Sequence, residues 1–97
     1  MLVLITYDVE TVSPDGRKRL RKVAKICTNY GQRVQNSVFE CLVDPAQLQT
    51  IKYQIEAVID KEKDSIRYYY LGSNWTGKVE HVGARITFNP ESDSLIV

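Results

Sequence analysis

The sequence predicts an α+β domain whose elements run strand, helix, strand, strand, helix, strand. Three observations carry this reading. The chain opens on four apolar residues, Leu2-Val3-Leu4-Ile5, partly β-branched, as in a strand buried on both faces. Two later stretches repeat apolar residues at three- and four-residue steps, each behind a Ser-Pro or Asp-Pro start. Between and after them lie β-branched and aromatic runs bounded by turn residues.

The first strand ends on Tyr7-Asp8, and Val9 to Gly16 follow as a turn-rich loop. Ser13 can cap a helix whose first residue is Pro14, where a missing N–H costs least. That helix is expected to reach about Tyr30, with Leu20, Val23, Ala24, Cys27 and Tyr30 as its core stripe and Gly31 as a left-handed stop. Gln32 to Val43 alternates apolar with polar residues around Gln35-Asn36-Ser37, which predicts two short strands joined by a tight turn or bulge. Asp44-Pro45-Ala46-Gln47 reads as a capping box opening a second helix. Leu48, Ile51, Ile55, Val58 and Ile59 form its apolar face, and it should end near Lys61. Lys61 to Asp64 is expected to be a solvated connection, Ile66 to Leu71 the fourth strand, and Gly72 its stop. This βαββαβ order is the ferredoxin-like pattern: a four-stranded antiparallel sheet, two helices on one face, and the first and third strands central.

Residues 1–72 would complete that unit. The remaining stretch, 73–97, carries Trp75, Val79, Val82, Ile86, Phe88, Leu95, Ile96 and Val97, too many apolar groups for a free tail. A sheet with helices on one face leaves its other face bare. The economical solution is a homodimer packed sheet on sheet, each C-terminal tail adding a strand to its partner's edge.

With 97 residues there is room for one core. The 43% hydrophobic and 26% charged composition is that of an ordinary globular chain. No apolar run approaches the roughly 20 residues of a membrane helix, so no membrane role is expected. The N-terminus lacks the features of a signal peptide, which makes the cytoplasm the expected compartment. Cys27 and Cys41 have neither C-x-x-C nor metal-ligand spacing and fall at apolar positions, as buried small hydrophobes would. His81, the single histidine, has no ligand or catalytic partner near it and reads as a tail or interface residue. Nucleotide-binding glycine loops are absent.

The net charge of +1 conceals a marked asymmetry. Six basic residues lie between Arg17 and Lys25 with no acid among them, leaving seven basic against twelve acidic residues elsewhere. A basic stripe on an otherwise acidic chain suggests an anionic partner. Arg17, Arg19, Arg21 and Lys22 stand near the positive end of the first helix, where cations are disfavoured, so phosphate contacts would explain them. Asp8 is the acid that ends a central strand. A turn carboxylate is the commoner fate of such a residue, and one carboxylate is a poor metal site. Two copies of Asp8 facing across a dimer axis would repel unless a cation bridged them, and a divalent ion there could polarise a phosphoryl oxygen or activate a water. Tyr7 points to the opposite side of the strand and is either core packing or a phenol near a phosphate.

The first strand ending in Tyr7-Asp8, then Arg17-Lys18-Arg19-Leu20, then Gly31-Gln32-Arg33-Val34-Gln35-Asn36-Ser37-Val38-Phe39-Glu40, together resemble the CRISPR-associated protein 2 family. That family is the small ferredoxin-like subunit of the spacer-acquisition machinery. The likeness is close over residues 1 to about 72 and looser in the tail. It implies a homodimer with exchanged C-terminal strands and an endonuclease whose Mg²⁺, or Mn²⁺, is held by Asp8 across the dimer axis. Family members are described as nucleases on single-stranded RNA or double-stranded DNA. They are also described as a non-catalytic scaffold that joins dimers of the CRISPR-associated integrase around a duplex. By motif match Tyr7 and Asp8 take the catalytic positions, and Arg17, Arg19, Arg33 and Phe39 the nucleic-acid-binding ones. Phe39 lies mid-strand, so packing would explain it equally well.

Overall fold

The elements fall in the expected order: β1 (Leu2–Asp8), α1 (Pro14–Thr28), β2 (Gly31–Gln35), β3 (Val38–Leu42), α2 (Pro45–Val58) and β4 (Ser65–Gly72). They belong to a computed structural model that describes residues 1–74, 77 and 80. The sheet order is β2-β3-β1-β4, with β1 antiparallel to both β3 and β4 and β2 antiparallel to β3. The two central strands are therefore the first and third, as the ferredoxin-like α+β pattern requires. The proposed exchange of a tail strand and the place of His81 lie outside the described residues.

Side-chain alternation along β1 sets up everything that follows. Val3, Ile5 and Tyr7 point toward the helices and are fully buried with Val23, Cys27, Phe39, Cys41, Ile51 and Ile55. Leu4 and Thr6 point the other way and are only partly covered, and Asp8 at the strand's end is exposed. Leu2 on that same side is buried, so the apolar run is covered on both faces at its start and loses its second cover from Leu4 onward. Both helices lie on the same side, and no helix covers the second face of β1, which is half-covered or exposed from Leu4 to Asp8.

Local chemistry explains the helix ends. Ser13 Oγ accepts from the Gly16 N–H at 3.1 Å, with Pro14 next in line. Glu10 reaches forward to Ser13, accepting from its N–H at 2.8 Å and its hydroxyl at 2.9 Å. A Cβ on Gly16 would collide with the Glu10 carbonyl oxygen, so only glycine lets the loop fold back this closely. At α2 the reciprocal capping box is present: Asp44 accepts from Gln47 N–H at 2.7 Å, and Gln47 Oε1 accepts from Asp44 N–H at 2.9 Å.

Two stops differ from expectation. The helix α1 ends at Thr28, with Asn29 as its cap in right-handed geometry, and Gly31 opens β2 instead of closing the helix. Gly31 is glycine because the Glu40 carbonyl of β3 passes where a Cβ would stand. The helix α2 stops at Val58, short of Lys61, as Ile59 turns extended. Gly72 behaves as foreseen, closing β4 with φ +73°. The two cysteines are free and buried, with Cys41 Sγ 3.5 Å from the Cys27 carbonyl.

Candidate functional site

The C-terminal end of β1 places two adjacent residues on opposite sides of the sheet. Asp8 is exposed on the open side, where its rung partner across β4 is Ser65. Thr6, Val38 and Arg67 occupy the next rung on that side. Tyr7 is 1% exposed on the helix side, and its backbone N–H donates to the Ser37 carbonyl at 2.9 Å. This hydrogen bond ties the end of β1 to the start of β3.

Beneath Tyr7 lies a group that sequence reasoning missed. Asp64, assigned to a solvated connection, is instead buried, with its side chain wholly out of water. Its Oδ2 accepts from Tyr7 Oη at 2.7 Å, from Arg19 Nε at 2.7 Å and from the Asp60 N–H at 3.0 Å. Its Oδ1 accepts from Arg19 Nη2 at 3.2 Å, so the Arg19 pairing is two-pronged. Burial pushes the Asp64 carboxyl up, but the donors from Arg19, Tyr7 and Asp60 outweigh it and hold it at about 2. Burial, then the hydrogen bond to Asp64, drive the Tyr7 phenol far above its ordinary value. The phenol therefore stays protonated. The bond to Asp64 likewise raises Arg19 further above a range in which it is already always charged.

A signal for Asp64 was present in the sequence. Arg19 falls between Gly16, Leu20 and Val23, at the flank of the α1 core stripe. A cation in such a place needs a carboxylate, since an unpaired buried charge is costly.

The remaining expected residues fall into separate groups. Arg17 is exposed and folds back on the preceding loop, its Nη1 donating to the carbonyls of Thr11 and Val12, each at 3.1 Å. Arg33 is exposed on β2 with its guanidinium carbon 5.5 Å from the centre of the Phe39 ring. Phe39 itself is fully buried, so its contacts within this chain are packing contacts. Tyr7 and Arg19 are thus brought together through Asp64, Arg33 and Phe39 through stacking, and Asp8 faces away from all four.

The rest of the basic stripe is free. Lys18, Arg21, Lys22 and Lys25 are exposed along α1, and none has an ion-pair partner among the described residues. Their spacing puts Lys18, Lys22 and Lys25 on one helical face. The donor set for a divalent ion is sparse. No group of three or more His, Cys, Asp or Glu side chains converges among the described residues. Asp8 offers a hard cation one exposed carboxylate per chain.

No helix among the described residues is long and apolar enough to cross a membrane. The model of the family CRISPR associated protein Cas2 matches residues 1–79. The chain is 62% identical over 96 residues to the CRISPR-associated endonuclease Cas2 of Halalkalibacterium halodurans, covering 99% of both chains. It is 56% identical over 96 residues to the CRISPR-associated endoribonuclease Cas2 of Nitratidesulfovibrio vulgaris, covering 99% of this chain and 94% of that one. The crystal structure of Streptococcus pyogenes Cas2 superposes with a TM-score of 0.79 at 60% identity, over 86% of this chain and all of the other. With the family model matched over most of the chain and the fold in agreement, the protein belongs to the CRISPR-associated Cas2 family.

Proposed function

We propose that this protein is a metal-dependent endonuclease of CRISPR spacer acquisition, acting as a homodimer in which the Asp8 carboxylates of two copies share one Mg²⁺ or Mn²⁺. The observation that carries it is the placement of Asp8, an exposed acid at the end of a central strand, on the sheet face that no helix covers. The names of the relatives, endonuclease in one and endoribonuclease in the other, support phosphodiester cleavage. The open face also favours sheet-to-sheet pairing, since Leu4, Val38 and Leu42 are only partly covered there.

When bound, a divalent ion would supply charge stabilisation at a phosphoryl oxygen and lower the pKa of an attacking water. Asp8 would hold it. The exposed cations of α1 and Arg33 would orient the nucleic-acid backbone by its phosphates. Tyr7 is a poor candidate for proton transfer, because its hydroxyl already donates to Asp64 inside the core. No general acid for the leaving oxygen stands beside Asp8 among the described residues, which argues for a slow enzyme.

The exposed row Lys18, Arg21, Lys22 and Lys25 favours a second reading, a duplex-binding scaffold that bridges the integrase and leaves chemistry to it. Asp8→Asn separates the two. Under the nuclease reading, cleavage of single-stranded RNA or double-stranded DNA disappears while duplex binding persists. Under the scaffold reading, integrase-dependent spacer insertion continues undiminished in the same variant.

A further inference from the structure

We infer that Asp64 is a positioning residue of this site, with Arg19 as its buried counter-ion, so that Arg19 holds the end of β1 in place and does not contact phosphate. The geometry converges on one carboxylate. Asp64 directly precedes Ser65, and Tyr7 directly precedes Asp8; Ser65 and Asp8 form the last rung between β4 and β1. The 2.7 Å bond from Tyr7 Oη to Asp64 Oδ2 closes that rung from the helix side. The two-pronged bond from Arg19 anchors the same carboxylate to α1, and the Asp60 N–H fixes it to the start of the preceding turn. From the other side Tyr7 N–H bonds to Ser37. The backbone under Asp8 is thereby pinned by β3, β4 and α1 together.

The same contacts remove Arg19 from the phosphate-binding set. Its side chain is 15% exposed, and its Nε and Nη2 are both committed to Asp64. Lys18, Arg21, Lys22 and Lys25 have no such partner among the described residues. An arginine whose charge is matched inside the fold releases no counterions when a duplex arrives.

The cleavage arm of the test rests on the nuclease reading; the binding arm does not. Duplex affinity is measured against salt for the full-length protein and for Arg19→Gln, Arg19→Lys and Lys22→Gln. Lys22→Gln should lower the log–log salt slope by about one phosphate's worth, and both Arg19 variants should leave it unchanged. Turnover is then measured for Asp64→Asn, Tyr7→Phe and Arg19→Lys, below the melting temperature of each. We expect kcat to fall about 10- to 100-fold in Asp64→Asn with KM unchanged, as when the structure that positions a metal ligand is loosened without loss of a substrate contact. Arg19→Lys keeps the charge but cannot form the fork, so kcat should fall there too. Combining Arg19→Lys with Asp64→Asn should cost no more than the worse single change. If Asp64→Asn does not fold, Tyr7→Phe and Arg19→Lys, which keep the buried carboxylate paired, decide the matter. The inference is overturned if Arg19→Gln lowers the salt slope as Lys22→Gln does, or if the folded variants retain full kcat. Asp8→Asn is the reference: should it cleave normally, the nuclease reading fails, and the salt slopes alone judge the assignment of Arg19.

Discussion

Tyr7 and Asp8 are neighbours in sequence, yet they face environments with opposite rules. On the helix side Tyr7 meets a carboxylate whose hydrogen bonds are filled by Arg19, its own hydroxyl and a backbone N–H. On the open side Asp8 stands exposed. A buried charge is tolerated only when it is paired and hydrogen-bonded, and such pairing leaves it nothing to offer a ligand. An exposed charge keeps its hydration and can exchange it for a cation. The end of β1 thus has a paired, buried carboxylate packed beneath it and an exposed one on its other side, and the tests that follow exploit the contrast.

The largest effect is expected at Asp8. Asp8→Asn should reduce metal-dependent cleavage below detection and leave the melting temperature nearly unchanged, as measured by a nuclease assay beside thermal unfolding. Asp64→Ala should show the reverse emphasis. It strands Arg19 and Tyr7 without their acceptor, and breaking a buried pair in this way costs about 3 kcal/mol. In a domain of this size that lowers the melting temperature by roughly 12 °C or more. If Asp8→Asn destabilised as strongly as Asp64→Ala, the division between the two sides of the strand would be wrong.

Acid sharpens the same comparison. The Asp64 carboxyl is held at about 2 in the fold, below the ordinary aspartate value of 3.8. A depressed carboxyl contributes stability that is fully present above the unfolded value and is lost as pH falls through the folded one. The contribution, about 2 kcal/mol from the size of the shift, should therefore disappear between pH 3.8 and about 2. Chemical denaturation across that window should show a loss in the wild type that is absent in Asp64→Asn. The smallest effect belongs to the helix surface: Lys22→Ala should leave stability within about 0.5 kcal/mol and weaken duplex binding equally for all sequences.

Much of this arrangement was legible in the chain. The order of elements followed from periodicity, from the Ser13-Pro14 and Asp44-Pro45 starts and from the apolar opening strand. Asp8 could be found because a carboxylate ending a central strand is conspicuous. Gly31 was misread because a glycine after a helix serves two purposes, a left-handed turn or a close backbone approach, and only the path of β3 distinguishes them. Asp64 was missed for a deeper reason. Its surroundings, Lys61-Glu62-Lys63, are exposed, and local composition cannot reveal that one acid turns inward to a cation 45 positions earlier in the chain. Arg19 carried the hint, since it lies beside the apolar stripe at Leu20 and Val23. Read with its five companions as one stripe, Arg19 looked like a phosphate contact; in the fold it has Asp64.

The claim that two copies of Asp8 share one ion is tested most directly by counting Mn²⁺ on the purified protein, by titration followed with electron paramagnetic resonance. The account predicts one tightly held ion per two chains, lost in Asp8→Asn and retained in Lys22→Ala. One ion per chain, or a count that Asp8→Asn does not change, would contradict it.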